Sequence, residues 1–217
     1  NRLHKDLDFY GRGYTIINLA MYGYTTYDCL PTGSTHPGYA DAPDSNRNVT
    51  KALSYNPTFV IISLPTNDIA DGYTDTETLG NYTTITNALI AAHVPFILTG
   101  TQPRNLATDA GCSTAFDGSS VCLSTGGLSP TEQADLNTFN GALAAQYPAG
   151  TTPYNTPVVN NFLTLLSASA TNFEVNPAIG YGDGIHYVDA GHRIVYDTMA
   201  NFQYYKDLVC VTETITM

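Results

Sequence analysis

An aspartate and a histidine near the carboxyl end of the chain have the spacing of an acid–base pair. Asp183 stands three residues before His186, and Gly184 between them lets the chain fold back within one turn. A histidine that works as a general base needs a carboxylate on its other ring nitrogen, which fixes the tautomer and stabilises the imidazolium. We therefore predict that Asp183 orients His186 as a general base.

Two further residues have the chemistry of an oxyanion site, which needs fixed hydrogen-bond donors. Gly23 offers a backbone N–H after the predicted strand 15–19, and Asn67 offers a side-chain amide after the predicted strand 59–64. Because functional groups of open α/β sheets gather at the carboxyl ends of the strands, we expect these donors to lie close together. Each also has a structural interpretation, Gly23 as a turn glycine and Asn67 as an Asx-turn.

These three places, in this order and at this spacing, resemble the SGNH (GDSL-type) hydrolase family. The resemblance covers about residues 13–205. It implies a Ser-His-Asp mechanism on a carboxylic ester, with Gly23 and Asn67 stabilising the oxyanion, His186 as the base and Asp183 behind it. It implies no metal and no organic cofactor. The expected substrate is a small-molecule or carbohydrate ester.

The sequence departs from the family at the first block of the motif. The family carries its nucleophilic serine in a Gly-Asp-Ser at the end of the first strand, and this sequence contains no Gly-Asp-Ser. We therefore expect the first strand and the serine to lie upstream of Asn1, either on a longer chain or on a separate one. A second departure is Pro65, which stands where the family usually has glycine and can change the loop before Asn67.

Two other acidic or basic residues near the motifs are interpreted as structural. Asp189 and His192 repeat the Asp-x-x-His spacing, but His192 falls in the first turn of a predicted helix, where the helix dipole disfavours an imidazolium. We interpret His192 as a packing residue. Asp68, next to Asn67, is interpreted as a turn or helix cap rather than a catalytic group.

The apolar pattern predicts a parallel sheet with helices between its strands. The strongest signal is the β-branched run 59–64 between two prolines, which is typical of a strand buried on both faces. Weaker strand signals cover 15–19, 96–99 and 157–160, and helix-period segments cover 47–55, 76–93, 131–147, 161–170 and 190–205, the last capped by Asp189. The alternation predicts an α/β fold, a three-layer α/β/α, flavodoxin-like parallel sheet with helices on both faces. We expect one domain over residues 1–210 and a tail at 211–217.

Composition limits the partners. The 217 residues carry 8 Lys+Arg against 19 Asp+Glu, a formal net charge of −11, and only 12% of residues are charged. Such a chain cannot neutralise a phosphate backbone, and an anionic membrane surface repels it. No apolar run approaches the roughly 20 residues that span a bilayer. We therefore expect neither nucleic acid nor a membrane as partner.

The cysteines favour disulfides over a metal or redox site, because no two of them form a Cys-x-x-Cys pair. The four allow three pairings when all are bridged. Cys112 and Cys122 bracket a Ser/Gly-rich loop that a disulfide would staple, which leaves Cys29 with Cys210.

Two Asn-x-Thr triplets, at Asn48 and Asn81, match the glycosylation acceptor pattern. Together with the low charge and the expected disulfides, they favour a secreted or extracytoplasmic protein. Two other classes of function remain open from the residues alone. One is a non-catalytic relative that binds carbohydrate or another ligand at a degenerate site, and the other is a flavodoxin-like binding module whose motif matches are accidental.

Overall fold

The structure of this protein is a computed structural model that describes residues 15–64, 67–103, 113–114, 120–121, 130–148, 158–160, 175–176, 178–180 and 186–201. The helices are α1 (Val49–Leu53), α2 (Asn67–Ala70), α3 (Asp75–Ala91), α4 (Pro130–Gln146) and α5 (Asp189–Asn201). The strands are β1 (Val60–Ile62), β2 (Phe96–Leu98), β3 (Ser113–Thr114) and β4 (Ser120–Val121).

A small parallel sheet lies at the centre of the described part. Strands β1 and β2 pair in parallel, with the register Val60–Phe96, Ile61–Ile97 and Ile62–Leu98. Val159 extends the pairing beyond β2, because its N–H donates to the Leu98 carbonyl at 2.8 Å and its carbonyl accepts from Gly100 N–H at 2.8 Å. The predicted α/β fold with a parallel sheet and helices is therefore confirmed.

Both faces of β2 are buried, which explains its unbroken run of apolar residues. Successive side chains of a strand point to opposite faces. Phe96 and Leu98 pack in the larger apolar cluster with side chains of α3 and α4 such as Leu89 and Leu143. Ile97, between them, belongs to a second cluster with Met199 of α5.

The predicted strand at 15–19 is wrong. These residues have no regular secondary structure, and no other described strand pairs with them. Ile16 packs against the second apolar cluster, while the Leu19 and Ala20 carbonyls accept from the Arg47 guanidinium at 3.3 and 3.1 Å. The packing of Ile16 and the hydrogen bonds from Arg47 thus hold this segment in place of the expected strand pairing.

Four of the predicted helices lie in described residues, and each begins within two residues of its predicted start, whereas α2 was not predicted. Helix α3 begins at Asp75 because Thr74 and Glu77 form a capping box, in which each side chain accepts from the other's backbone N–H. Asp189 is the first residue of α5 rather than its cap. The predicted helix at 161–170 lies outside the described residues. Within the described ranges, no helix has both the length and the apolar content needed to cross a bilayer.

The two glycosylation triplets carry structural asparagines. Asn48 is 1% exposed and caps α1 by accepting from the Lys51 N–H at 3.0 Å. Asn81 is 9% exposed inside α3, and its amide donates to the Thr26 hydroxyl at 2.9 Å. Their burial and hydrogen bonds explain both residues, so the triplets give no support to secretion.

The cysteine predictions fall mostly outside the described residues, since only Cys29 is described and it has no disulfide partner among them. Burial raises the pKa of the Cys29 thiol to about 12, with the carboxylates of Asp28 and Asp68 adding to the effect. The bridge between Cys112 and Cys122 stays a prediction. The short strands β3 and β4, which lie between these two cysteines, pair antiparallel with Ser113 opposite Val121.

An antiparallel register of this kind suits a disulfide between the flanking positions, because directly opposite residues have Cα atoms within disulfide range. We expect peptide mapping of the oxidised protein without reductant to yield one peptide pair joined through Cys112 and Cys122. A Cys112→Ser variant should leave Cys122 open to alkylation. Alkylation of both cysteines in the unreduced wild-type protein would contradict the prediction.

Candidate active site

Gly23 lies in a turn that only glycine adopts without strain. Its φ is +80°, in the left-handed region. A Cβ placed at Gly23 would meet no atom within 4 Å, so the backbone conformation rather than the available space calls for glycine. Within the part of the chain that the structure describes, the Gly23 N–H makes no hydrogen bond.

Asn67 is attached to the same turn by its side chain. It is the first residue of α2, which follows β1 along the chain. The Asn67 amide nitrogen donates to the Tyr24 carbonyl at 3.0 Å. The structure therefore brings Gly23 and Asn67, 44 positions apart in the sequence, to one place at the carboxyl end of β1.

His186 reaches this place from the other end of the chain. Its imidazole stacks against the Tyr22 ring, with ring centroids 6.1 Å apart and an angle of 29° between the planes. Tyr22 directly precedes Gly23, so the segment 22–24 contacts both His186 and Asn67. Asp183 lies outside the described residues, and its predicted role behind the imidazole stays a prediction.

The second histidine of the repeated Asp-x-x-His spacing has a different setting. The His192 ring packs edge-on against the Tyr187 ring, with centroids 5.3 Å apart and planes at 85°. Burial lowers the pKa of His192, the Asp189 carboxylate partly offsets this, and the nearby His186 lowers it further. A neutral ring packed on tyrosine agrees with a packing role for His192.

Asp68 is a buried carboxylate that fixes the loop after Gly23. It is 2% exposed, and both of its oxygens accept from the Thr26 N–H at 3.1 Å. The Thr26 hydroxyl donates to the same carboxylate and accepts from the Asn81 amide of α3. Sequence patterns indicated a structural role for Asp68 but gave no signal for its partner Thr26, or for Asn81, which binds Thr26.

The ionisation of Asp68 reflects two opposing effects. Burial removes water from the carboxylate and disfavours its charged form, while the hydrogen bonds from Thr26 favour that form. Burial is the larger effect, and the pKa of Asp68 is raised from 3.8 to about 6. The loop is thus held by a group that gains a proton in mildly acidic solution.

Two further carboxylates, those of Asp28 and Asp44, also hold the loop. Asp28 accepts from both the N–H and the hydroxyl of Thr25, at 2.8 and 3.0 Å. The Tyr24 hydroxyl donates to Asp44, and this hydrogen bond raises the pKa of Tyr24 to about 12. Across the described ranges, no three His, Cys, Asp or Glu side chains are placed to hold a metal ion.

Asp68 makes the stability of the protein depend on pH in a defined direction. Because its folded pKa lies above its ordinary value, the folded state binds the proton more tightly than the unfolded state. The stabilisation from this group is complete below about pH 4 and is lost as the pH rises to about 6. In urea unfolding, the free-energy difference between wild type and Asp68→Asn should change by up to about 3 kcal/mol across this interval.

Asp44→Asn is the matched control, because the hydrogen bond from Tyr24 lowers the pKa of Asp44 and places its titration below this interval. The difference between wild type and Asp44→Asn should therefore stay flat from about pH 5 to about pH 7, where the Asp68→Asn difference still changes as Asp68 loses its proton near pH 6. An Asp68→Asn difference that is equally flat would show that Asp68 does not titrate as described.

The family model for the GDSL-like lipase/acylhydrolase family matches residues 1–194 of the chain. A GDSL-like lipase from Bacteroides thetaiotaomicron VPI-5482 has a similar structure, with 20% sequence identity and a TM-score of 0.53 over 69% of this chain and 63% of its own. A carbohydrate esterase of family 3 from Talaromyces cellulolyticus gives 16% identity and a TM-score of 0.51 over 88% of this chain and 70% of its own. At these identities the two structures are alike in fold alone.

No curated protein is similar enough to this chain to count as a match. The chain spans 63% of the length of the Bacteroides lipase, which is less than two thirds. The family match covers most of the chain, includes Gly23, Asn67 and His186, and confirms the resemblance drawn from the motifs. The chain belongs to the GDSL-like lipase/acylhydrolase family, a family of ester hydrolases.

Proposed function

We propose that this protein hydrolyses carboxylic esters by a Ser-His-Asp mechanism, with Gly23 and Asn67 as the oxyanion donors and His186 as the general base. The observation that carries the proposal is the contact of one short segment, 22–24, with both other groups. Tyr24 binds the Asn67 amide, and Tyr22 packs on the His186 ring. The three groups come from distant parts of the sequence, and ester hydrolysis needs them at one carbonyl.

The oxyanion donors suit the charge that develops on the carbonyl oxygen. The φ of +80° sets the direction of the Gly23 N–H, and the hydrogen bond to Tyr24 sets the orientation of the Asn67 amide. The amide group of Asn67 donates without titrating, which suits a donor to an oxyanion. Donors fixed before the reaction stabilise the transition state without reorganisation, and one such donor contributes about 100- to 1000-fold in rate.

The reaction proceeds by two acyl transfers. His186 takes the proton of the serine hydroxyl as the serine oxygen bonds to the ester carbonyl carbon, and it returns that proton to the alcohol oxygen as the ester C–O bond breaks. Water then attacks the acyl-serine with His186 again as the base, which releases the acid and the free serine. Asp183 orients the imidazole. The family resemblance assigns the serine to a Gly-Asp-Ser, which residues 1–217 do not contain.

The wider setting of the reaction is part of the same proposal. The fold is a three-layer α/β/α sandwich, supported by the packing of Ile97 with α5 and of Phe96 with α3 and α4 on opposite faces of the sheet.

A net charge of −11 favours an uncharged ester over an anionic one. A fold shared with a carbohydrate esterase and a polar, tyrosine-rich surface support an acetylated carbohydrate, and the low content of charged residues supports an extracytoplasmic location.

A non-catalytic relative that binds its ligand at a degenerate site is the second candidate. This function needs the binding groups but no nucleophilic serine. Such a protein would keep the loop, the asparagine and the histidine as binding groups. Measurements on the full native protein separate the two functions.

The test is hydrolysis of p-nitrophenyl acetate by the full native protein and three variants. Asn67→Ala removes one oxyanion donor and should lower kcat about 100- to 1000-fold with little change in KM. His186→Ala removes the base and should lower kcat by about 1000-fold or more. His192→Ala, a histidine packed on Tyr187, is the matched control and should retain activity within about threefold.

Hydrolysis that survives in His186→Ala but is lost in His192→Ala would overturn the assignment of the base. A wild-type protein that binds an acetylated sugar without hydrolysing any ester would establish the binding function instead.

A further inference from the structure

Tyr22 exposes its aromatic side chain at the candidate active site. It is 82% exposed, more than any other large apolar residue in the described part of the chain, and its neighbour Met21 is 46% exposed. One contact fixes the ring, the stacking on His186 with centroids 6.1 Å apart. The outer side of this ring therefore presents an apolar surface to solvent directly beside the proposed base.

The position of Tyr22 relative to the reacting groups assigns that surface to one part of the substrate. The ester carbonyl oxygen binds at the Gly23 N–H and the Asn67 amide, and the alcohol oxygen must lie at His186 to receive its proton. Tyr22 precedes Gly23 in the chain and touches His186. It therefore lies on the side of the carbonyl where the alcohol leaves, rather than on the acyl side.

We propose that Tyr22 forms the alcohol subsite, where it receives an uncharged alcohol that carries a ring with an apolar face. This inference rests on the proposed ester hydrolysis and names the part of the substrate that the site selects. A flat, exposed aromatic ring favours a cyclic group over a short linear one, because the two faces exclude water together. Met21, next to it, enlarges the apolar surface.

The test compares two acetates whose alcohols have similar acidity but different shape, cyclohexyl acetate and ethyl acetate. In the full native protein, Tyr22→Ala should lower kcat/KM for cyclohexyl acetate about tenfold more than for ethyl acetate, mainly through KM. Tyr22→Phe keeps the ring and should behave as wild type with both esters.

Tyr55→Ala is the matched control. Tyr55 is also an exposed tyrosine, at 43%, but it precedes β1 and so lies toward the opposite edge of the sheet from Asn67. This variant should keep the wild-type preference between the two esters. Equal losses on both esters in Tyr22→Ala, or an unchanged preference, would overturn the subsite.

A protein that binds esters without hydrolysing them can be told apart from one that lacks the alcohol subsite. If the wild-type protein hydrolyses neither ester, NMR saturation transfer to cyclohexyl acetate reports the subsite directly. Transfer that is present in wild type and Tyr55→Ala but lost in Tyr22→Ala would support the alcohol subsite in a non-catalytic protein. Transfer that persists in Tyr22→Ala, or is absent from wild type, would overturn it.

Discussion

The buried carboxylate of Asp68 joins the two segments on which the candidate site depends. Asp68 and Asn67 are consecutive, and each binds the loop after Gly23, Asp68 through Thr26 and Asn67 through Tyr24. Without the carboxylate, the Thr26 N–H and hydroxyl would be buried with no acceptor, at a cost of about 1–3 kcal/mol for each unpaired group. The loop therefore cannot leave Asn67 without breaking a buried polar cluster, and this holds Gly23 and Asn67, the proposed oxyanion donors, next to each other.

The sheet gives this cluster a fixed base. The apolar side chains of β1 and β2 pack in two clusters on opposite faces, so the carboxyl end of β1 is held by core packing on both sides. Asn67 and Asp68 follow within a few residues of the end of β1, so the packing of β1 also fixes their position. The loop at Gly23 has no such support from a ladder, since its own segment forms no strand, and depends on side-chain anchors. Asn67 is thus positioned by the sheet, and Gly23 by the side chains that anchor its loop.

The sequence predicted those parts of the fold and the site that depend on local pattern. The run 59–64 predicted a strand, which β1 confirms, but the expected burial on both faces was wrong because Val60 and Ile61 are only partly buried. The residue types of Gly23, Asn67 and His186 matched a known arrangement of blocks. The strand expected at 15–19 was wrong because strand pairing depends on a neighbour, which the residues of one segment do not specify. The hydrogen bond between Thr26 and Asn81 could not be predicted for the same reason, because these two residues are 55 positions apart in the sequence. Burial is likewise not visible in a three-residue pattern. Asn48 and Asn81 therefore matched the glycosylation pattern although both are buried.

The central claim is that Gly23, Asn67 and His186 act on one ester carbonyl. The most direct measurement is a crystal structure of the full native protein after reaction with an alkyl phosphonate, whose tetrahedral phosphorus mimics the acyl-transfer intermediate. The account predicts one phosphonyl oxygen about 2.7–3.1 Å from both the Gly23 nitrogen and the Asn67 amide nitrogen, with the His186 ring at the ester oxygen. A phosphonate held by other donors, with the Asn67 amide directed away from it, would contradict the account.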